Sequence, residues 1–419
     1  MKNLVRIFSL LLSLCLLPCH EAMAEKVIDS TEIKNGNITD RIETIILGAS
    51  DFQELLDWQS NDCHTQNQLW LCPKIETFAR NAEYFLPYTK GYSALGFFFD
   101  PTISYCTDFN LTATVGIHLM GIAGDEKKLR EIAPIVRLIY TPAEWVTIIG
   151  GTLSCNGLQR GLYEPMYGHD RYFLENNETG LEFIFRTKHW HANLWCNWED
   201  FIEIGSDFQE KFTFGWVNKF RTNIIEDNHR NRHKFYFPLH LTANHRGGQF
   251  TSLKDTCIET IVNTAVGLGY SLDRRRFHIS VETPLFGFLN NSNEEHIHTH
   301  FNKGWGFYPQ INVQTYNRKG HGWGATFGYW IGDGYISHKG SYLFQSRSYF
   351  NDDFTRKNRH MLTFNAFYGI RTNLGLNFQG YYDLDEKGFD FAIGLHLLFN
   401  RHFVLKDFNK KKKEEKFSH

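Results

Sequence analysis

Three small sets of residues have the types and spacing that chemistry needs. The first is Glu294, His296, His298 and His300. In an extended chain these three imidazoles share a face, and at that spacing they can meet a zinc or copper ion with the carboxylate nearby. A plain polar loop in a chain with 20 His explains them as well, and no water-activating base accompanies them, so no metal and no catalytic residue is assigned there. The second set is His278, Ser280 and Glu282, an imidazole, a hydroxyl and a carboxylate on one side of an extended segment. Residues two apart on a strand are separated by roughly 7 Å, so a polar wall is the simpler account. The third is Cys63 with Cys72, which sit in one loop-like segment and are the pair best placed for a disulfide. No Cys-x-x-Cys occurs, and Cys196 falls on an apolar face as a small hydrophobe.

The elements that must position these groups are strands. From Phe389 to Phe399 every second residue is Phe389, Phe391, Ile393, Leu395, Leu397 and Phe399, while Asp390, Ala392, Gly394, His396 and Leu398 fall between. A strand sends successive side chains to opposite sides, so one face is greasy and the other mixed. The same alternation recurs at 95–105, 111–119, 131–141, 145–153, 180–187, 190–198, 211–221, 234–244, 259–272, 277–285, 305–316, 321–330, 360–372 and 374–382. A further strand at 42–48 makes the count sixteen, the even number that single-chain bacterial barrels favour. Short links such as 141–144 and 273–275 alternate with long ones such as 156–179, 286–303 and 332–359. A closed, antiparallel transmembrane β-barrel of about sixteen strands explains a continuous greasy face, a wet face and sorted loops together, with short periplasmic turns and long extracellular loops.

Compartment and composition agree with a barrel. Lys2 and Arg6 precede an apolar run at 7–17, and Ala22-Met23-Ala24 is a small-residue cleavage site, so 1–24 reads as a secretory signal peptide. Beyond it no run reaches the ~18 apolar residues of a spanning helix. Net charge is −2, which excludes a strongly basic nucleic-acid binder, and the aromatic content of 16% suits strands and interfacial girdles. The expected organisation is the signal peptide, a segment 25–90 holding a possible first strand plus a loop or lumen insert, the barrel at 91–400, and a charged periplasmic tail at 401–419 with the Lys410–Lys413 run.

Alternation, loop sorting, leader and the aromatic last strand together resemble the porin-type outer-membrane β-barrels of Gram-negative bacteria, over about 91–399. The segment Glu83-Tyr84-Phe85-Leu86-Pro87-Tyr88 followed by Gly91-Tyr92 also resembles uncharacterised barrels of the Bacteroidetes. His278 and Ser280 are similar to the first and third positions of the His-x-Ser-Asn-Gly motif of outer-membrane phospholipases, but Val281 and Glu282 replace the Asn-Gly.

The interior face expected from the alternation holds Asp100, His118, Arg137, Glu182, Arg186, His191, His240, His278, Glu282, Gln310, Asn312, Gln314, Arg371, Asp390 and His396. Both signs of charge are present, so no ring of one sign sets ion selectivity. Sixteen strands enclose more space than side chains fill. The expectation is therefore a porin-like passage for small polar solutes and no enzyme, without a cofactor. Its expected partners are outer-membrane lipid, the barrel-insertion machinery, a homo-oligomer and no nucleic acid. Two alternatives stay open: a non-conducting barrel that binds a partner or scaffolds an envelope assembly, and an outer-membrane barrel hydrolase.

Overall fold

The computed structural model describes residues 66–153, 161–174, 177–229, 231–247, 258–274, 277–292, 300–316, 322–370, 374–400 and 402–409. Sixteen antiparallel strands form one closed sheet. They are β1 (Gln68–Glu83), β2 (Tyr92–Cys106), β3 (Leu111–Ile122), β4 (Glu131–Ala143), β5 (Val146–Thr152), β6 (Thr179–Arg186), β7 (Trp190–Asp200) and β8 (Lys211–Arg221). There follow β9 (Arg232–Arg246), β10 (Glu259–Val266 and Gly269–Arg274), β11 (Phe277–Glu282 and Leu285–Ser292) and β12 (Lys303–Phe307 and Gln310–Tyr316). The last four are β13 (Gly322–Asp333), β14 (Asn358–Ile370), β15 (Leu374–Asp383) and β16 (Gly388–Asn400 continued by Phe403–Asp407). Each strand pairs with the next, and β1 pairs with β16 from Lys74↔Asn400 to Glu83↔Phe391, so no edge is left open. In a bilayer that closure satisfies the backbone groups that no water can reach.

Period-two alternation decides which side faces lipid. Leu95, Val115, Val136, Leu181, Phe327, Ile393 and Leu397 stand exposed on the outer wall. Asp100, His118, Glu182, His240, Asn263, His278 and Asp390, on the opposite parity, are buried inside. A soluble protein would not leave so continuous an apolar belt in water, and a membrane barrel requires it.

The first strand is a correction. The expected strand at 42–48 lies outside the described residues, as do the 1–24 leader and most of the charged tail. Instead Gln68–Glu83, inside the segment assigned to a loop or insert, forms the wall strand that closes the barrel. Its inward parity carries Trp70 and Phe78 and its outward parity Thr77 and Asn81, which blurs the alternation. Part of the expected tail also belongs to the wall, since Phe403–Asp407 continues β16 against Gln68–Leu71.

Connections sort by end. Short ones at 107–110, 144–145 and 187–189 share the end that holds both chain termini of the barrel, and by the rule for outer-membrane barrels this end faces the periplasm. The longer turn at 222–231 on this side is ordered by Asp227. Its carboxylate accepts the backbone N–H groups of His229 and Asn231, each at 2.8 Å. Those bonds, Asn231's first, lower the Asp227 pKa to about 2. A depressed carboxylate contributes its full stabilisation above its ordinary value of 3.8 and loses it as pH falls through the folded value. Amide-exchange protection at Asn231 should therefore hold at pH 4 to 5 and drop below about pH 2.

At the opposite end residues 161–174, the described part of the 153–178 loop, and the connection 334–357 pack inside the barrel. Leu162, Tyr163, Met166 and Tyr167 of the first and Tyr335, Ile336, Leu343 and Phe344 of the second are buried in one apolar cluster. That cluster includes Trp195, Val217, Phe286, Trp330 and Tyr381 from the wall. Tyr172 and Phe173 pack separately on Phe78, Phe98 and Met120 of β1 to β3. Backbone bonds join the loops to each other, from Gly168 N–H to the Lys339 carbonyl at 2.8 Å and from Ser341 N–H to the Glu164 carbonyl at 3.1 Å. Such a barrel has an apolar core, unlike the polar lumen the alternation suggests.

The wall accommodates the large inward rings with glycines. A Cβ on Gly215 of β8 would lie 2.0 Å from the Trp195 ring of β7. Gly215→Val should destabilise the barrel by about 1–3 kcal/mol, read as a lower urea midpoint of the refolded chain.

Candidate functional site

Three of the expected interior imidazoles sit beside buried carboxylates, of which only Asp100 is among the residues expected from the sequence. His118 Nδ1 lies 2.6 Å from Asp100 Oδ1, and His396 Nδ1 lies 3.1 Å from Glu76 Oε1. His278 Nδ1 lies 2.6 Å from Asp273 Oδ1, with Lys234 Nζ 3.3 Å from the other oxygen. In each pair a carboxylate orients an imidazole. The Nε2 atoms of His118 and His396 are buried without a hydrogen-bond partner among the described residues.

The expected His278, Ser280 and Glu282 set does not form a catalytic chain. Glu282 is taken by two phenols, accepting from Tyr236 at 2.6 Å and from Tyr163 of the loop at 2.7 Å. The acid beside His278 is Asp273, on the neighbouring strand, while Ser280 stands opposite Ser271. Spacing along one strand misses this because the partner lies on the neighbouring strand, with Asp273 opposite His278.

The other expected residues serve the wall. Arg137 donates to the carbonyls of Thr152 and Leu153 at 2.7 and 2.6 Å, and Glu182 accepts from Asn193 at 2.7 Å. Arg186 faces His191 across β6 and β7, and His240 Nδ1 accepts the Asn218 N–H at 3.3 Å. Gln310, Asn312 and Gln314 stand opposite Glu282, Ser280 and His278. Asp390 accepts the N–H groups of Phe85 and Leu86 at 2.6 and 3.1 Å, turning the 84–91 connection over the rim. Arg371 lies outside the described residues. So do Cys63, Glu294, His296 and His298, and only His300 of that cluster is placed, exposed at the long-loop end.

The sharpest convergence sits in the long-loop half and was not foreseen. Arg80, at the top of β1, holds Asp170 of the 153–178 loop at 2.6 Å and donates to Gln379 of β15 at 2.8 Å. It also donates to the phenol oxygen of Tyr92 at 3.1 Å. The Tyr92 hydroxyl donates to Asp170 at 2.9 Å and that of Tyr84 at 3.4 Å. Beside them Tyr381 donates to Glu164 Oε1 at 2.5 Å, and His169 Nε2 stands 3.5 Å from Glu164 Oε2. That second oxygen is buried and accepts no hydrogen bond among the described residues. Burial first and Asp170 second push the Tyr84 phenol well above its ordinary value, so it remains a donor.

Chemically this is a set of donors (Arg80, Tyr84, Tyr92) around one carboxylate, next to a second carboxylate with an open lone pair and an imidazole in reach. Donors can stabilise a developing oxyanion and the open carboxylate can take a proton from water. Asp170, about one-third exposed, connects the cluster to solvent. The signal that marks it in sequence is the 153–178 loop itself. Tyr163, Met166, Tyr167, Tyr172 and Phe173 make it too apolar to stay in water, so the charged Glu164, His169 and Asp170 among them had to be carried inside.

Comparison with solved structures finds outer-membrane proteins. OmpT of Vibrio cholerae, as a loop L8 deletion mutant, is 6% identical with a TM-score of 0.45, covering 79% of this chain and 99% of that one. OprD of Pseudomonas aeruginosa is 10% identical with a TM-score of 0.44, covering 81% and 95%. OccAB4 of Acinetobacter baumannii is 10% identical with a TM-score of 0.41, covering 82% and 100%. These values carry no argument about activity. No curated protein matches the chain. A family model described as Lipid A 3'-O-deacylase-type matches residues 59–408. The description is an enzyme's, and it overturns the expectation that this barrel is no enzyme. The chain is an outer-membrane β-barrel and belongs to the Lipid A 3'-O-deacylase-type family.

Proposed function

We propose that this barrel is a hydrolase that removes ester-linked acyl chains from a lipid A-type glycolipid. The observation that carries the reading is the family match across the whole wall, from residue 59 to residue 408. Water adds to the ester carbonyl, the sugar hydroxyl leaves with a proton, and a free fatty acid is released. Glu164 takes the proton from water, His169 beside it passes a proton to the leaving oxygen, and Arg80 with Tyr84 and Tyr92 faces the oxyanion.

Position selects this cluster over the Asp273–His278 pair. A glycolipid of the outer leaflet presents its sugar and ester bonds at the long-loop end, whereas Asp273 and His278 lie next to the strand ends Arg274 and Phe277 at the opposite end. The test is mass spectrometry of a lipid A-type glycolipid incubated with the refolded chain. The expected result is the loss of one acyl group with release of the matching fatty acid. An unchanged glycolipid mass after prolonged incubation would sink the proposal.

A passage for small polar solutes is the second reading. It is favoured by the sixteen-strand circumference and by the polar interior around Arg186, His191, Asn312 and Gln314. The two loops packed in the long-loop half weigh against it. Single-channel recording in a planar bilayer should find the native barrel silent, and stable ohmic steps would restore the passage.

A further inference from the structure

At the long-loop end, the 201–210 connection between β7 and β8 leaves three large apolar side chains in the open. Phe201 is 68% exposed, Ile204 87% and Phe208 48%. The connection is not a loose one. Ser206 N–H donates to the Glu203 carbonyl at 3.1 Å and Glu203 N–H to the Ser206 hydroxyl at 3.0 Å. Gly205 holds a positive φ of 97° that lets the turn close, and Ile204 sits at its tip. Ile202 and Gln209 are buried and fasten the two arms of the loop to the barrel. A turn so fastened keeps its apolar tip presented to whatever surrounds it, and in water that presentation is unfavourable.

The surroundings are read from the strands below. Trp198, exposed on the lipid side of β7, stacks on Phe212 of β8 with ring centroids 5.5 Å apart. Aromatic pairs at this height form the interfacial girdle of a membrane barrel. Phe201 and Phe208 leave the wall three and four residues beyond this pair, so the loop continues the lipid-facing belt past the end of the strands. Its polar side is equally defined. Asp200 is bound by Lys211 at 2.6 Å, and Glu203 and Asp207 are exposed beside the tip, where head groups and water meet.

We propose that the 201–210 loop lies in the outer leaflet as a membrane hook, with Phe201, Ile204 and Phe208 among the acyl chains near their ester ends. Its partner is the lipid surface, and the inference does not depend on the deacylase reading. The hook anchors the rim at one fixed depth, on the side of the barrel formed by β7 and β8.

The full chain carrying Ile204→Cys, labelled with the fluorophore NBD and refolded into phosphatidylcholine vesicles, tests this. A control label at Asp353→Cys sits on the 334–357 loop, and the unsubstituted chain treated alike supplies the background of its own cysteines. Expected are a blue-shifted emission at position 204 and quenching by phosphatidylcholine brominated near the carbonyl end of its chains, with neither seen at 353. Water-like emission at 204 without quenching overturns the proposal. So does a blue shift that bromine leaves untouched and that grows with the protein-to-lipid ratio, since a second copy of the chain would then cover the patch.

Discussion

Glu164→Gln should lower acyl release by about 100-fold or more, the range general-base catalysis supplies, while the barrel still folds. The amide keeps an oxygen for the Tyr381 hydroxyl but loses the open lone pair that faces His169. The rate is read as fatty acid released per chain, and folding as heat-modifiable gel migration. His169→Gln should show a smaller loss of its own, because Glu164 still takes the first proton. An undiminished rate in Glu164→Gln would remove the rim cluster from the chemistry. A rate lost instead on His278→Gln would move the reaction to the short-turn end, where Asp273 holds that ring.

Arg359→Met should be the most damaging single change to the plug. The Arg359 guanidinium and the Asp383 carboxylate are buried and 2.8 Å apart. The same guanidinium donates to the carbonyls of Leu343 and Gln345, which belong to the 334–357 loop, and lies 3.3 Å from the centroid of the Tyr88 ring. Removing it leaves the buried Asp383 carboxylate without its cation, held only by the N–H groups of Asp385 and Glu386, and frees the loop, a cost of about 3–5 kcal/mol. Urea unfolding of the refolded chain measures this, and the double variant Arg359→Met with Asp383→Leu should recover much of the loss because no charge is stranded. The variant barrel should also conduct where the native one is silent. A stability unchanged within about 0.5 kcal/mol would show that the pair does not hold the loop.

β1 and the plug are hidden from the sequence for one reason. Alternation reports a wall only when the inward face is polar. β1 points Trp70 and Phe78 inward, and Tyr172 and Phe173 of the 153–178 loop pack on Phe78, so its two faces look alike. The stretch 156–179 shows no periodicity and reads as a long extracellular loop, although Tyr163, Met166 and Phe173 are core residues. The site followed the plug: Arg80 on β1, Glu164, His169 and Asp170 on the loop and Tyr381 on β15 are distant in sequence and meet only when the loop enters the barrel.

By itself the sequence determined the barrel, fifteen of its sixteen strands, its lipid side and its sorted turns, because each follows from local period-two alternation and from connection length. It also supplied the carboxylates and imidazoles of the interior face. Only the tertiary structure decided which acid meets which base, as Asp273 rather than Glu282 for His278, since those contacts run across strands. And only the tertiary structure decided that the lumen holds an apolar core, because burying loop aromatics against inward aromatics is a gain no strand can register alone.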